Sequence, residues 1–189
     1  MFASVYQKGS TGVEIFTPTG KEPFKNVLCR TDINSAKYYD RNIKGYAIVL
    51  DSENHNPAFQ IPRKDTDLLG VSQSIVCVQL QCVSDRKTAS VEFVLRDDQR
   101  QRRRLHFSNR FRELSINPLH AQVPWHLPSL TSSEDSPYPW SSWVLDLSLL
   151  CMQCFQTQFS SLESVRIYGT MHLRKLFSLP RNSIIGEGE

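Results

Sequence analysis

The chain has 189 residues, 40% of them apolar and 22% charged, with a formal net charge of +3. That length suits one domain, or one domain and a tail, and is long enough to bury a real core. No run approaches the ~20 apolar residues of a membrane span, and MFASVYQKGSTG does not open as a signal peptide, so the five cysteines are expected as reduced thiols.

Taken in chain order, the dominant rhythm has a period of two. GVEIFTP (12–18) reads as a strand with Val13 and Ile15 on one face. GYAIVLD (45–51) puts Tyr46, Ile48 and Leu50 on one face and Ala47 and Val49 on the other, as for a strand buried on both sides. AFQIP (58–62) alternates and stops at a proline. SIVCVQLQCV (74–83) aligns Val76, Val78, Leu80 and Cys82, and SVEFVL (90–95) aligns Val91, Phe93 and Leu95. SDRKTA (84–89) suits a hairpin between these two strands, without a strong turn dipeptide to fix it. Short strands broken by Gly, Pro, Asp and Asn clusters describe an antiparallel sandwich or barrel.

The charge is unevenly placed. Residues 96–112 carry seven arginines and two aspartates, a local +5, which leaves about −2 for the rest of the chain. Two readings compete for DDQRQRRRLHFSNRF (97–111): a solvated basic arm, or a strand with its charge on one face. As a strand, RRRLHFS (102–108) turns Arg103, Leu105 and Phe107 one way and Arg102, Arg104, His106 and Ser108 the other. A free arm has no need of Leu105 and Phe107 in alternation, so the strand is favoured. Leu105 and Phe107 then face the core. Arg103 sits at the mouth of that face with its head reaching water. Arg102 and Arg104 project outward, about 6.6 Å apart. The plain alternative is a solvated strand face with no partner.

SLTSSEDSPYPWSS (129–142) reads as a Ser- and Pro-rich surface loop. SWVLDL (142–147) is a further strand with Trp143, Leu145 and Leu147 aligned. LSLLCMQCFQTQF (147–159) is the one convincing helix, with Leu150, Cys154 and Phe155 near the helical period and Asp146 or Ser148 as its cap. SVRIYGTM (164–171) and HLRKLFSL (172–179) close the chain as strands. The domain is thus expected over 1–181, with 182–189 as a linker or tail.

Other constellations carry less. CMQC (151–154) has metal or redox spacing but no matching second pair, so core thiols are the better reading. His55, His106, His120, His126 and His172 are scattered; His120 and His126 are the two that could approach in space. No catalytic set, nucleotide loop or metalloprotease motif is visible, so the chain is not expected to be an enzyme, and neither cofactor nor metal is expected. Trp143 belongs to an apolar register, while Trp125 and Trp140 sit beside prolines as hydrophobic plugs, which argues against a sugar-binding face. Nucleic-acid binding is the alternative from composition, and it would need exposed aromatics among the arginines; Phe107 and Phe111 are the only candidates.

DDQRQRRRLHFSN (97–109) resembles the arginine-rich strand of the cilia- and flagella-associated protein 20 domain family. MF and YQKG at the start, GYAIVLD, FQIPRKDTDLLG (59–70), NPLHAQVPW (117–125) and SLESVRIYGTMHLRKLFSL (161–179) fall in that family's order, so the likeness covers residues 1–181. VEIFTPTGKEP and NPLHAQVP lie nearer the family's larger member than its small founder, and the loop 129–142 is longer than the founder's. The resemblance implies an all-β fold: an antiparallel, jelly-roll-like sandwich similar to carbohydrate-binding modules, with one short helix. It implies the N-terminal domain or a short form of a longer protein. It also implies a non-enzymatic structural role in the cytoskeleton of the cilium, at the axoneme or basal body, with tubulin and a neighbouring junction protein as partners. The candidate partner-binding residues are Arg100, Arg102, Arg104, Arg110 and Arg112. Membrane, nucleic acid and small-molecule substrates are not expected as partners.

Overall fold

A computed structural model describes residues 12–31, 36–52, 56–84, 86–126 and 138–181. In chain order the strands are β1 (Val13–Phe16), β2 (Leu28–Cys29), β3 (Lys37–Asp40), β4 (Gly45–Leu50), β5 (Phe59–Ile61), β6 (Ile75–Cys82), β7 (Ala89–Asp97), β8 (Arg102–Ser108), β9 (Ser115–Asn117), β10 (His120–Pro124) and β11 (Ser141–Asp146). Helix α1 (Leu147–Phe155) follows, then β12 (Phe159–Gly169) and β13 (Met171–Leu179).

These strands divide into two sheets, as the all-β reading expects. Sheet A has six strands in the order β11-β6-β13-β4-β3, with β1 also paired to β13. One edge of β13 is shared: Met171–Leu173 meet β4, and Leu176–Ser178 meet β1. Sheet B has seven strands in the order β2-β5-β12-β7-β8-β10-β9. Its β8–β10 pair is parallel, an exception to the antiparallel expectation.

The two inner faces close on one core. Val76, Val78, Leu80, Leu173 and Leu176 of sheet A and Val91, Phe93, Leu95, Leu105, Val165 and Ile167 of sheet B belong to it. Aromatic contacts cross between the sheets: Phe107 and Trp143 lie 4.8 Å apart edge to face, and so do Phe16 and Phe59 at 4.9 Å. Such contacts add to the burial of apolar area, roughly 25 cal/mol per Å2.

Several expectations need correction. SDRKTA does not close a hairpin, because β6 and β7 lie in different sheets. Both edges of β6 are taken, by β11 and β13, so the chain crosses to sheet B. True hairpins join β3 to β4, β7 to β8 and β9 to β10. The strand 45–51 is not buried on both sides throughout, since Tyr46 is exposed and packs on Tyr39 of the edge strand. Trp143 is half-buried. Helix α1 ends at Phe155 rather than 159: Gln156 adopts a left-handed φ of 56° and its N–H donates to Met152 O. The buried side chains of α1 are Leu147 and Cys151, one turn apart, with Leu150, Cys154 and Phe155 flanking them. Asp146 is the cap, accepting from the N–H groups of Ser148 and Leu149. Cys151 and Cys154 are free thiols, pushed up in pKa by burial. Most of the loop 129–142 and the tail 182–189 lie outside the described residues, as do the opening MF and YQKG motifs. Among the described residues, no helix is long and apolar enough to cross a membrane.

Gly169 makes the last sheet crossing possible. It ends β12 with φ +85°, and a Cβ there would lie 1.8 Å from Thr88 O. The adjacent Thr170 N–H donates to the same carbonyl at 2.9 Å. Gly169→Ala is therefore expected to cost at least about 1–3 kcal/mol from backbone strain, with the clash added. Urea denaturation of the variant measures this as a lowered midpoint; an unshifted midpoint would contradict the crossing geometry.

Candidate functional site

The arginine segment is a strand. β8 spans Arg102–Ser108, with Leu105 and Phe107 buried and Arg102 and Arg104 exposed. It pairs with β7 along its whole length, from Arg96↔Arg102 to Ser90↔Ser108, and with β10 from Arg104 onward. The alternation of apolar and charged residues therefore acts as the period of two predicts, and the side-chain directions are set by a ladder on both edges.

Arg103 departs from expectation. Its guanidinium does not reach water: Nε and Nη2 lie 2.8 and 2.7 Å from Asp97 Oδ2, Nη1 donates to Pro118 O, and the group sits over the Phe155 ring. Asp97 is itself 1% exposed. Burial pushes the Asp97 carboxyl up, but hydrogen bonds from the Gln101 N–H and from Arg103 outweigh it and leave the pKa lowered. This pair ties the β7–β8 hairpin to helix α1.

On the outer face of sheet B, two further carboxylates lie out of water, Glu163 at 1% and Glu92 at 4% exposure. Arg96 Nε donates to Glu163 Oε1. Arg102 Nε lies 2.8 Å from Glu163 Oε2, off the direction of an aligned hydrogen bond. Arg166 bridges Glu92 and Asp65, at 2.9 Å to each, while Arg104 Nη1 stands 3.9 Å from Glu92 Oε2. Hydrogen bonds from Arg166 and Gln60 hold Asp65 below the usual carboxylate range.

The five candidate arginines are all exposed, but they do not form one compact patch. Arg100 lies in the β7–β8 turn at a positive φ of 62°. Arg102 and Arg104 occupy the strand face. Arg110 and Arg112 follow the far end of β8, roughly 20 Å along the strand. Arg110 is engaged locally, donating to Arg86 O and Thr88 Oγ1. Among the described residues, Arg100 and Arg112 have no carboxylate partner. Sequence reasoning missed Arg96, Arg166, Glu92 and Glu163, which hold the face together. Their one local signal was charge inside otherwise apolar strand runs.

The aromatic residues arrange differently. Phe107 is buried and Phe111 packs edge-on against His106 at 5.0 Å, so neither is a free stacking platform. His120 stacks on His106, with ring centroids 5.9 Å apart and planes at 15°. Trp125 lies flat on Trp143 at 4.7 Å and 4°, and the pair walls a cleft of about 230 Å3 with Tyr138, Leu80 and Cys82.

Compared with protein-family profiles, the chain matches the CFA20 domain over residues 1–182. The chain belongs to the CFA20 domain family. The match covers the whole sandwich, including β8, and the family's name ties this CFA20 domain to cilia and flagella.

The buried pair of the CFA20 domain sets a stability test. Arg103→Met leaves the Asp97 carboxylate buried without its cation and is expected to cost about 3–5 kcal/mol, read by denaturant unfolding. Because the folded pKa of Asp97 is depressed, its contribution is present above the unfolded carboxylate value of about 3.9 and fades as pH falls through the folded value. In Arg103→Met burial acts on Asp97 without the opposing cation, so the folded pKa rises towards the unfolded value and the acid-dependent part of the stability should shrink: the drop between pH 7 and pH 3 should be smaller than in the parent.

Proposed function

We propose that this domain is a non-enzymatic structural module that docks on the microtubules of the cilium or basal body, contacting tubulin or a neighbouring axonemal protein through the arginine-bearing face of sheet B. The observation that supports this most is the anchoring of Arg102. Its Nε faces a buried carboxylate, while the side chain remains half exposed. Among the described residues its terminal nitrogens have no other acceptor. The guanidinium is thus aimed by the fold instead of being withdrawn into it. Guanidinium forks match carboxylates bidentately, and the acidic surface of a microtubule supplies carboxylates and long-range attraction.

Family membership supports the ciliary setting, and Arg100 and Arg112 add exposed charge at the two ends of β8. The test separates docking from folding by sparing Arg102, whose loss would strip a cation from buried Glu163. The triple variant Arg100→Gln, Arg104→Gln, Arg112→Gln should keep the parent's unfolding midpoint within about 0.5 kcal/mol per site. It should bind microtubules about tenfold more weakly in low-salt co-sedimentation, equivalent to ~1.4 kcal/mol. Equal binding by parent and triple variant would remove the face from consideration. A steep salt-dependent affinity for nucleic acid in filter binding, with none for microtubules, would favour the nucleic-acid reading instead.

A further inference from the structure

Beneath the arginines, sheet B holds a set of groups that the docking proposal does not use. Glu92 on β7, His106 on β8 and His120 on β10 each bring one ligand-type atom to within 4.8 Å of the others. Glu92 stands directly across the ladder from His106, and β10 runs parallel to β8, which places His120 beside Arg104 and diagonal to His106. Three neighbouring strands therefore deliver two imidazoles and one carboxylate to a single point on one face.

The hydrogen bonds around these groups leave specific positions open. The Ser90 hydroxyl donates to Phe107 O at 3.1 Å, so at its 2.5 Å contact with His106 it accepts from Nε2. That fixes the tautomer and leaves the lone pair of His106 on Nδ1. His120 Nε2 is buried and, among the described residues, has no hydrogen-bond partner. Glu92 gives Oε1 to Arg166, while among the described residues Oε2 has Arg104 at 3.9 Å, beyond hydrogen-bond reach. A histidine whose second nitrogen donates to a fixed acceptor, beside a buried nitrogen with nothing to bind, is the usual surrounding of a metal ligand.

We propose that Glu92, His106 and His120 form a binding site for a zinc-class divalent transition-metal ion. Two imidazoles and one carboxylate match the ligand set of zinc sites that keep a fourth position for water. A tetrahedral ion with bonds of about 2.0–2.1 Å holds its ligands about 3.3 Å apart, so a closure of about 1.5 Å completes the set. Arg104 and Arg166 work against any cation here. That repulsion is the same for every divalent ion; the two imidazoles are what favour a zinc-class ion over magnesium and calcium, which depend on several oxygen ligands. The ion would cross-link β7, β8 and β10, including the parallel pair.

The experiment uses the full chain, stripped with a chelator and titrated with cobalt(II) and then zinc. One equivalent of cobalt should give a visible d–d band without the near-ultraviolet charge-transfer band of a thiolate ligand, and zinc should displace it and raise the melting temperature. His120→Ala should weaken zinc binding at least about 10–100-fold. Arg104→Ala removes a repelling charge from an exposed position and should tighten binding several-fold; this sign test stands even if His120→Ala fails to fold. A thiolate band, no binding, equal affinity in a folded His120→Ala, or weakened binding in Arg104→Ala would each overturn the site.

Discussion

Three carboxylates on sheet B, Glu92, Asp97 and Glu163, are almost wholly removed from water, and each is met by arginine. An ionised carboxylate buried alone is costly enough that it neutralises or finds a partner. Here the partners come from three strands: Arg96 on β7, Arg102 to Arg104 on β8 and Arg166 on β12. The run of arginines in β8 is thus first a requirement of the fold. Among the described residues, replacing all three by neutral residues would strip Asp97 of its arginine and leave Glu163 to Arg96 and Glu92 to Arg166.

This reverses the order of cause that the raw charge count suggests. A local excess of +5 looks like a surface made for a polyanion. Once Arg103 is withdrawn to Asp97, and Arg96, Arg102 and Arg166 are set against Glu163, Glu92 and Asp65, much of that excess is balanced within the sheet. What reaches solvent is a smaller number of guanidinium groups, of which Arg102 is directed by Glu163 and Arg110 by Arg86 O and Thr88 Oγ1. Affinity gained this way comes from preorganisation more than from field strength, because little side-chain freedom remains to be lost on contact.

The sequence made some of this legible and hid the rest for physical reasons. The strand Arg102–Ser108 was readable because alternation is local: Leu105 and Phe107 can share a core face only if Arg102 and Arg104 turn away. The long strands β6, β7 and β13 were readable for the same reason. The partners of the arginines were not, since Arg96 meets Glu163 across 67 residues of chain and Arg166 meets Glu92 across 74. The division into sheets was equally hidden. Nothing in SDRKTA distinguishes a tight hairpin from a crossing, and the choice is made by β11 and β13 occupying both edges of β6. Strand β10 escaped notice because prolines bracket HAQV and because its longer pairing, with β8, is parallel and joins stretches that are not consecutive strands of the chain. The resemblance to a known family supplied the sandwich that the local rhythm left open between sandwich and barrel.

The two stacked imidazoles add a last constraint on how the face can work. His106 is hydrogen-bonded by Ser90 from β7, packed by Phe111 and Tyr168, and stacked on His120, so the middle of the outer face is made of half-buried rings in mutual contact. Burial holds the Tyr168 hydroxyl up in pKa and both histidines down, which keeps all three neutral at physiological pH. A neutral centre flanked by half-exposed arginines has the anatomy of an interface in which a desolvated middle is ringed by polar contacts. Under the proposed docking, the arginines would orient a partner and set its rate of approach, while the imidazole and tyrosine rings would be the surfaces on which close packing is gained.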